Sequence, residues 1–216
     1  MIPSELKEVI LCLKKNKMIL QNNMGDGRQD SSTNENKVIQ TIQNANLGFK
    51  VTAENLNKNN NRNWFDATIA GYYVNIKISA LKSADNTSAK PAIFYFLTGQ
   101  TETPTHTKQY WEQMKQNESP DENRNYFYLI VNKDNPSDVF CTSLKGLKTV
   151  NANGSEGNYP FQCVWDENRE LADRTWAEAK IFLLTQFAKS VTKTISKLSE
   201  GLPCYYPEIY DKVISH

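Results

Sequence analysis

The sequence predicts an α/β domain of the α+β type, in which helices flank one central mixed β-sheet. Three observations predict this class: an amphipathic helical pattern opens the chain, strand-like patterns fill its middle, and a longer helical pattern follows near its end. The length of 216 residues suits one domain, and its 39% of hydrophobic residues can form a core. We therefore expect residues 1–216 to fold as a single domain.

The first predicted element is a helix from residue 4 to about residue 20, which Ser4 can cap. Its apolar residues recur at helical spacing and are Leu6, Val9, Ile10 and Leu13. Because the residues that follow, 21–34, are mostly polar, a loop is predicted there. Residues 1–32 are thus expected to form an N-terminal helix and loop.

A second helix is predicted from about residue 33 to residue 45, with an apolar stripe of Val38, Ile39 and Ile42. Glu35 precedes these residues by three, four and seven positions, so it is expected on the same inward face. Burying a carboxylate is costly unless it is paired or bound to a cation. Glu35 is therefore a candidate functional residue.

The middle of the chain favours strands. The predicted strands are 48–52, 64–69, 72–79, 92–97, 126–131, 139–142 and 161–165. A helix at 105–116 separates them, and a Gly/Asn-rich loop is predicted at 151–160. The almost continuous apolar run at 126–131 is typical of a buried central strand.

The last predicted element is a long helix from about residue 175 to residue 198. Thr175 and Glu178 have the spacing of a capping box. The predicted inward face consists of Ile181, Leu184, Phe187, Ala188, Val191, Ile195 and Leu198. Lys189, Lys193 and Lys197 form a row one turn apart, for which a solvated face and contact with phosphates are both open.

Charge and histidine content exclude several classes of protein. The net charge of +1 excludes a strongly electropositive protein but leaves room for a local basic groove. The two histidines, His106 and His216, are too few for HNH nucleases, His-rich zinc enzymes and most Ser-His-Asp hydrolases. His106 is expected on the surface, near the start of the helix at 105–116.

Apolar runs and cysteine spacing bear on location. No run approaches the roughly 18 apolar residues of a membrane span, so no membrane association is expected. The four cysteines are widely spaced and form no C-x-x-C motif. We therefore expect reduced thiols and a cytoplasmic protein.

A predicted hairpin at residues 64–79 brings together the polar side chains that are best suited to catalysis. If Ala70 and Gly71 form a two-residue turn, Asp66 faces Asn75 across the strands. Lys77 lies two residues beyond Asn75 and points the same way. One face of the hairpin is then apolar, while the other holds an acid, an amide and an amine.

This set of groups suits phosphodiester hydrolysis. The carboxylate of Asp66, the amide oxygen of Asn75 and the backbone carbonyl of Ile76 are hard oxygen ligands of the kind that Mg²⁺ prefers. A bound metal lowers the pKa of its water and stabilises charge on a phosphate, and Lys77 can orient that water or neutralise developing charge. The alternative is a solvent-facing strand with an ordinary acid and lysine.

The region resembles the core of the PD-(D/E)xK nuclease superfamily, and specifically type II restriction endonucleases. The matching order is a helix bearing Glu35, a hairpin bearing Asp66, and an x-x-K motif ending at Lys77. The segments that add to the resemblance are VNIKIS at 74–79, ADN at 84–86, FLTG at 96–99, PFQCVWD at 160–166 and EAK at 178–180. The resemblance covers about residues 33–190. Two departures are Phe65 where a proline is usual and Asn75 where a second acid is usual.

The resemblance implies a restriction-endonuclease-like core, with the catalytic part at 33–100 and the remaining sheet, loops and long helix at 101–216. It implies a Mg²⁺-dependent enzyme, with Mn²⁺ as a possible substitute, that cuts double-stranded DNA at a short sequence. Such enzymes are usually homodimers, because a palindromic site matches a two-fold axis, and a bacterial cytoplasm is the implied location. Asp66 would be the main metal ligand, with Glu35 replacing the missing acid.

Three alternatives stay open: a repair or structure-specific nuclease of the same superfamily, a DNA-binding module without catalysis, and a host-interaction protein with a merely structural hairpin. Asn75 is either natural or a disabling substitution that traps uncleaved DNA. The polar residues after the hairpin and in the loop at 151–160 are candidate DNA contacts. Lys82 and Lys90 would contact phosphates, while Asn86, Asn151 and Asn153 would read adenine edges.

Overall fold

The computed structural model describes residues 1–16, 19–20, 27–53, 63–87, 89–154 and 161–199, together with positions 204 and 207. The helices are α1 (Ser4–Lys15), α2 (Gly27–Asn44), α3 (Ala89–Thr98), α4 (Thr107–Gln116) and α5 (Trp176–Ser199), and a short 3₁₀ helix spans Trp165–Asn168. The strands are β1 (Val51–Ala53), β2 (Ala67–Ile69), β3 (Tyr72–Ser79), β4 (Ala84–Thr87), β5 (Phe127–Asn132), β6 (Val139–Ser143), β7 (Asn151–Ala152) and β8 (Phe161–Val164). None of the helices in these ranges is both long and apolar enough to cross a membrane.

The central sheet has the strand order β1-β2-β3-β5-β6. β3 and β5 run parallel, whereas the other neighbouring pairs are antiparallel. Five of the six residues of β5 are buried, as a nearly continuous apolar run in the middle of a sheet requires. The predicted α+β class with a central mixed sheet is confirmed.

Helices cover both faces of this sheet. On one face, the apolar stripes of α1 and α2 pack with Val74 and Ile76 of β3. On the other face, residues of α3, α4 and α5 pack with Tyr126, Tyr128 and Ile130 on the β5 side. Because strand side chains alternate, Asn75 and Lys77 of β3 belong to this second face.

A second, three-stranded sheet has the order β4-β8-β7 and is antiparallel throughout. The chain leaves β3 for β4 through a tight turn, in which the Lys82 N–H donates to the Ala80 carbonyl at 2.8 Å. The residue between them, Leu81, has φ 66°, which is a strained conformation for a residue with a side chain. The turn directs the chain from the strand with the candidate site into the second sheet.

Two local predictions are confirmed in detail. β3 has the predicted bounds, and it pairs with β2 in the predicted register, with Ala67 opposite Val74. The capping box is also present, because the Thr175 N–H donates to Glu178 Oε2 at 2.8 Å and the Glu178 N–H donates to Thr175 Oγ1 at 3.3 Å.

Other local predictions are wrong. Residues 92–97 lie in helix α3 rather than in a strand, because a short, wholly buried apolar run carries no periodicity that separates the two states. Residues 27–34, predicted as loop, belong to α2. Pro3 rather than Ser4 caps α1, and Ser4 Oγ donates to Glu5 instead. β4 and β7 were not predicted, and residues 21–26 and 155–160 of the two predicted loops lie outside the described residues.

The predicted inward face of α5 is wrong in part. Phe187 is buried as predicted and Leu184 packs against the core, but Ile181 is 67% and Ile195 is 60% exposed. The other buried side chains are Trp176, Ala179, Leu183 and Ser190. The sequence of α5 is apolar on two faces, and the face with the larger aromatic residues faces the core. Phe187 contacts rings of both α4 and β8, which fixes this rotation of the helix.

Candidate functional site

The turn between β2 and β3 sets the register of the candidate site. Ala70 has φ 50° and Gly71 has φ 87°, and two positive φ angles in a two-residue turn match the twist of a β-hairpin. With Ile69 opposite Tyr72, the paired register ends at Ala67–Val74, and Asp66 is the next residue of the chain beyond that pair. A shift of one residue would move the acid to the other face.

Asp66 lies where β2 ends and the edge of β3 becomes available. Its N–H donates to the Val74 carbonyl at 2.9 Å. Its carboxylate Oδ2 accepts the Ile76 N–H at 2.7 Å, and its side chain is only 4% exposed. Since the N–H and C=O of one strand residue point to the same edge, the Ile76 carbonyl faces this carboxylate's side of the strand. A buried acid and a backbone carbonyl thus share one strand edge.

Asn75 adds a buried amide oxygen to this strand edge. The residue is 6% exposed, and its Oδ1 is one of four buried side-chain oxygens without a partner among the described residues. An unsatisfied buried acceptor costs about 1–3 kcal/mol, and a cation bound at this oxygen would remove that cost. The donor set of Asp66, Asn75 and the Ile76 carbonyl consists of hard oxygens and fits Mg²⁺.

The strand edge with Asp66, Asn75 and the Ile76 carbonyl is called the corner below. Tyr126, just before β5, supports it. Its hydroxyl donates to the Trp64 carbonyl at 2.7 Å, and the two rings stack at 5.3 Å. Burial raises the pKa of Tyr126 well above its usual value, the charges of Tyr128 and Asp66 raise it further, and hydrogen bonding with Asn75 opposes the rise. Tyr126 therefore bonds the backbone before Asp66 and is influenced by the side chains of Asp66 and Asn75. Sequence reasoning missed it, because it read 126–131 only as a buried strand.

Aromatic packing holds the segment that delivers Asp66. Phe65 packs against Tyr73 with ring centroids 4.7 Å apart, and Trp64 packs against Tyr95 of α3 at 5.6 Å. Such pairs contribute about 0.5–1.5 kcal/mol each beyond the area they bury. The segment is thus fixed by side-chain packing at the position where the resembling nucleases carry a proline.

Lys77 is half-buried and points to the same face as Asn75. It lies near the second sheet, as the thiol of Cys163 in β8 shows. Burial raises the pKa of Cys163 to about 12, the charge of Asp85 raises it further, and the positive charge of Lys77 opposes this rise. The charge of Lys77 therefore acts on the buried side of the second sheet.

Glu35 is buried at 6% exposure, so its predicted inward orientation is confirmed. Its helix, however, packs on the face of β3 that carries Val74 and Ile76. Asn75 and Lys77 project from the opposite face. Glu35 can therefore approach the metal ligands only around the edge of β3 that β2 leaves open.

The candidate DNA contacts occupy different environments. Lys82 is exposed beside the turn at Leu81, and Asn86, Asn151 and Asn153 come together on the second sheet. Lys90 is a correction to the predicted surface loop, because it is only 9% exposed and its ammonium lies 4.9 Å from the centre of the Tyr110 ring. Burial lowers the pKa of Lys90. A side chain enclosed by helix packing does not contact a DNA phosphate without rearrangement, so Lys90 is removed from the proposed groove.

The acidic, histidine and cysteine side chains of the described residues could also bind a metal where they cluster. Within the described ranges, no group of three or more His, Cys, Asp or Glu side chains is arranged to hold a metal ion. Cys12, Cys141 and Cys163 are buried and form no disulfide. The donor set at Asp66 depends on amide and carbonyl oxygens, which a count of acids and soft ligands does not include.

Comparison of the chain with protein-family models gives no match, and no curated protein is significantly similar to it. The assignment of function therefore depends on the geometry of the hairpin and on the sequence resemblance described above.

Proposed function

We propose that this protein is a Mg²⁺-dependent endonuclease that cuts double-stranded DNA at a short sequence, in the manner of type II restriction enzymes. The observation that carries the proposal is the strand-edge corner. There the buried carboxylate of Asp66 accepts the Ile76 N–H, the adjacent Asn75 has a buried oxygen without a partner among the described residues, and Lys77 follows two residues along the same face. Paired oxygen ligands and a lysine are the groups that phosphodiester hydrolysis requires.

The residues divide the work by their chemistry. Asp66, Asn75 and the Ile76 carbonyl would hold Mg²⁺, which when bound supplies an acidified water and positive charge for the phosphate. Asp66 is held in position by the Ile76 N–H, so its carboxylate needs little reorganisation. Lys77 orients the attacking water and offsets negative charge that develops on the phosphate. Glu35 contributes a second carboxylate around the strand edge.

Two further properties belong to the proposal. A palindromic site is matched by a two-fold symmetric homodimer, with one active site for each strand. The protein acts in a bacterial cytoplasm, where its thiols stay reduced. Equilibrium sedimentation with and without a cleavable duplex measures the oligomeric state directly.

Digestion of a long DNA of mixed sequence tests the proposal. Discrete fragments with Mg²⁺, and none with EDTA, are expected from the wild-type chain. Lys77→Ala should abolish the fragments, whereas Lys108→Ala, at an exposed position of α4, should not. A smear in place of discrete fragments would favour the repair or structure-specific nuclease. Intact DNA with Mg²⁺ and with Mn²⁺ would contradict the proposed activity.

A second candidate is a DNA-binding module without catalysis, and the amide at position 75 favours it. An amide supplies an oxygen ligand but no charge, so the corner has one fewer negative charge than the resembling nucleases. This alternative would be established if the wild-type protein retained duplex DNA but did not cut it with any divalent metal, and Asn75→Asp did cut it.

A further inference from the structure

The second sheet carries a row of amides on its exposed face. Register pairs Asn86 of β4 with Gln162 of β8, and Gln162 with Asn151 of β7, so three amides cross the sheet side by side. Their neighbours Thr87 and Phe161 are fully buried on the opposite face. Asn86 and Asn151 are exposed, and Gln162 is half-buried. Sequence reasoning selected two of these residues but missed Gln162, because strand pairing rather than chain proximity brings it there.

The amides form a fixed hydrogen-bond network. Asn86 Oδ1 accepts from Asn153 Nδ2 at 2.9 Å and from Gln162 Nε2 at 3.0 Å. An amide oxygen has two lone pairs, so both acceptor sites of Asn86 are used. Its amino group then supplies two donors directed away from these partners. Asn86 is therefore presented as a donor, whereas an asparagine that reads adenine must accept as well as donate.

A basic edge borders the row. The Lys193 ammonium of α5 donates to the Ala152 carbonyl at 3.1 Å, and the Asn153 N–H donates to Ser190 Oγ at 3.1 Å. Gly154 lets α5 approach, because a Cβ there would lie 2.8 Å from Lys193 Cγ. Lys189 and Lys197 continue this edge along the exposed side of α5, one turn on either side. Neutral amides beside a row of cations suit base edges next to phosphates.

We propose that this face of the second sheet reads base edges in the major groove of the DNA target, with Asn86 donating to O6 and N7 of a guanine. Both guanine groups are acceptors, and one amino nitrogen can serve them as a lysine ammonium does. Gln162 and Asn153 hold Asn86 in this orientation, and the lysine row contacts the neighbouring phosphates. The inference rests on the proposed nuclease function, and the inner face of the same sheet, with Phe161 and Cys163, packs in one core cluster with Tyr126 and Tyr128.

Selection from a random duplex library tests the assignment. Each change is made in the Lys77→Ala protein, so that DNA stays intact in Mg²⁺, and bound sequences are read after selection. The parent should enrich a motif that contains guanine. Asn86→Ala should lose the preference at one guanine position by about 10-fold and keep the other positions. Gln113→Ala, at an exposed amide on α4, is the matched control and should select the parent motif.

Two further variants separate readout from folding and from general affinity. Asn153→Ala removes one of the two bonds that hold Asn86, so it should weaken the same position by less. Lys197→Ala should weaken binding to every sequence and reduce the salt dependence by about one counterion. Equal melting temperatures of parent and variants show that the fold is kept.

The outcomes distinguish this inference from the proposed function. If the wild-type chain cuts DNA at a site but Asn86→Ala selects the parent motif, the base-reading surface is wrong and the nuclease stands. Loss at an adenine position instead of a guanine overturns the donor assignment. If the wild-type chain neither cuts nor retains DNA, both proposals fail.

Discussion

The hairpin and the second sheet use the same residue type in opposite ways. Asn75 is buried, and its oxygen has no partner among the described residues, whereas Asn86 is exposed and its oxygen accepts two hydrogen bonds. A buried acceptor without a hydrogen bond destabilises the protein, and a bound cation can remove that destabilisation. A satisfied exposed amide has no such cost and offers only its remaining donors. This contrast agrees with the two proposals, which place catalysis at the hairpin and recognition at the second sheet.

Among the substitutions that test this contrast, Asp66→Asn should reduce DNA cleavage the most. Asp66→Asn keeps an oxygen acceptor for the Ile76 N–H but removes the charge that holds the metal. Initial cleavage of supercoiled DNA should fall by at least about 100-fold. Asp134→Asn, at an exposed position, should change nothing. Cleavage by Asp66→Asn at the wild-type rate would separate the corner from catalysis.

Glu35 tests whether the site extends beyond the hairpin. If Glu35 supports the metal around the strand edge, Glu35→Gln should lower activity by about 10- to 100-fold, with the loss greatest at low Mg²⁺. Glu112→Gln on the exposed side of α4 is the control. A fully active Glu35→Gln enzyme would confine the ligand set to the face of Asn75 and Lys77.

Asn75 should produce a smaller and metal-dependent effect. Asn75→Ala removes one neutral oxygen ligand, so about 10-fold more Mg²⁺ should be needed for half-maximal cleavage. Mn²⁺, which accepts less regular coordination, should restore part of the rate. Asn75→Asp should retain activity, unless repulsion between neighbouring carboxylates raises the pKa of one of them. A metal titration of the three proteins measures each effect.

A wild-type chain that is inert with every divalent metal would give this series another meaning. If Asn75→Asp then cut DNA, the amide at position 75 would be a disabling substitution. The corner would then be a catalytic site that Asn75 has inactivated, and the Asn75→Asp protein would still differ in this way from the second sheet.

Much of the hairpin could be predicted from sequence, because its register depends only on local features. A two-residue turn and strict alternation predict the register, and the structure shows it from Ile69–Tyr72 to Ala67–Val74, directly before Asp66. The second sheet depends on residues such as Asn86 and Gln162, which are 76 positions apart in the chain. A single sequence contains no signal for such a pairing when one of the strands, β4, is short and polar.

Tertiary contacts also explain why the prediction for α3 was wrong and the prediction for α5 was wrong in part. In residues 92–97 every side chain except Tyr95 is buried, so no alternation was present to separate strand from helix. In α5 two apolar faces competed, and the choice between them depended on where the rings of Phe187 and Trp111 meet. Tyr126 was missed because its role depends on a hydrogen bond to Trp64, 62 residues away. Tertiary contacts decided each of these cases.

Tyr126 allows a test of how firmly the buried corner is held. Tyr126→Phe leaves the Trp64 carbonyl without its donor, so the free energy of unfolding should fall by about 1–3 kcal/mol. Cleavage at low Mg²⁺ should fall severalfold, because the amide of Asn75 also loses a neighbour. Urea unfolding and a Mg²⁺ titration measure the two effects.

Tyr128→Phe is the matched control for this positioning role. The Tyr128 hydroxyl is buried without a partner among the described residues, so its removal should be neutral or stabilising. Equal effects of the two substitutions would mean that the bond to Trp64 does not hold the corner.

The smallest effect is expected at His106, the residue that a search for a general base would choose first. His106 is exposed and caps α4 through its backbone, where the Tyr110 N–H donates to its carbonyl at 2.9 Å. Its side chain makes no capping hydrogen bond, so His106→Gln removes no contact that the helix needs. In the proposed mechanism, Lys77 and a metal-bound water would supply the proton chemistry at the corner. Cleavage should continue at nearly the wild-type rate across the pH range in which imidazole titrates. A loss of about 100-fold or more, the low end of general acid–base contributions, would move the base from the hairpin to α4.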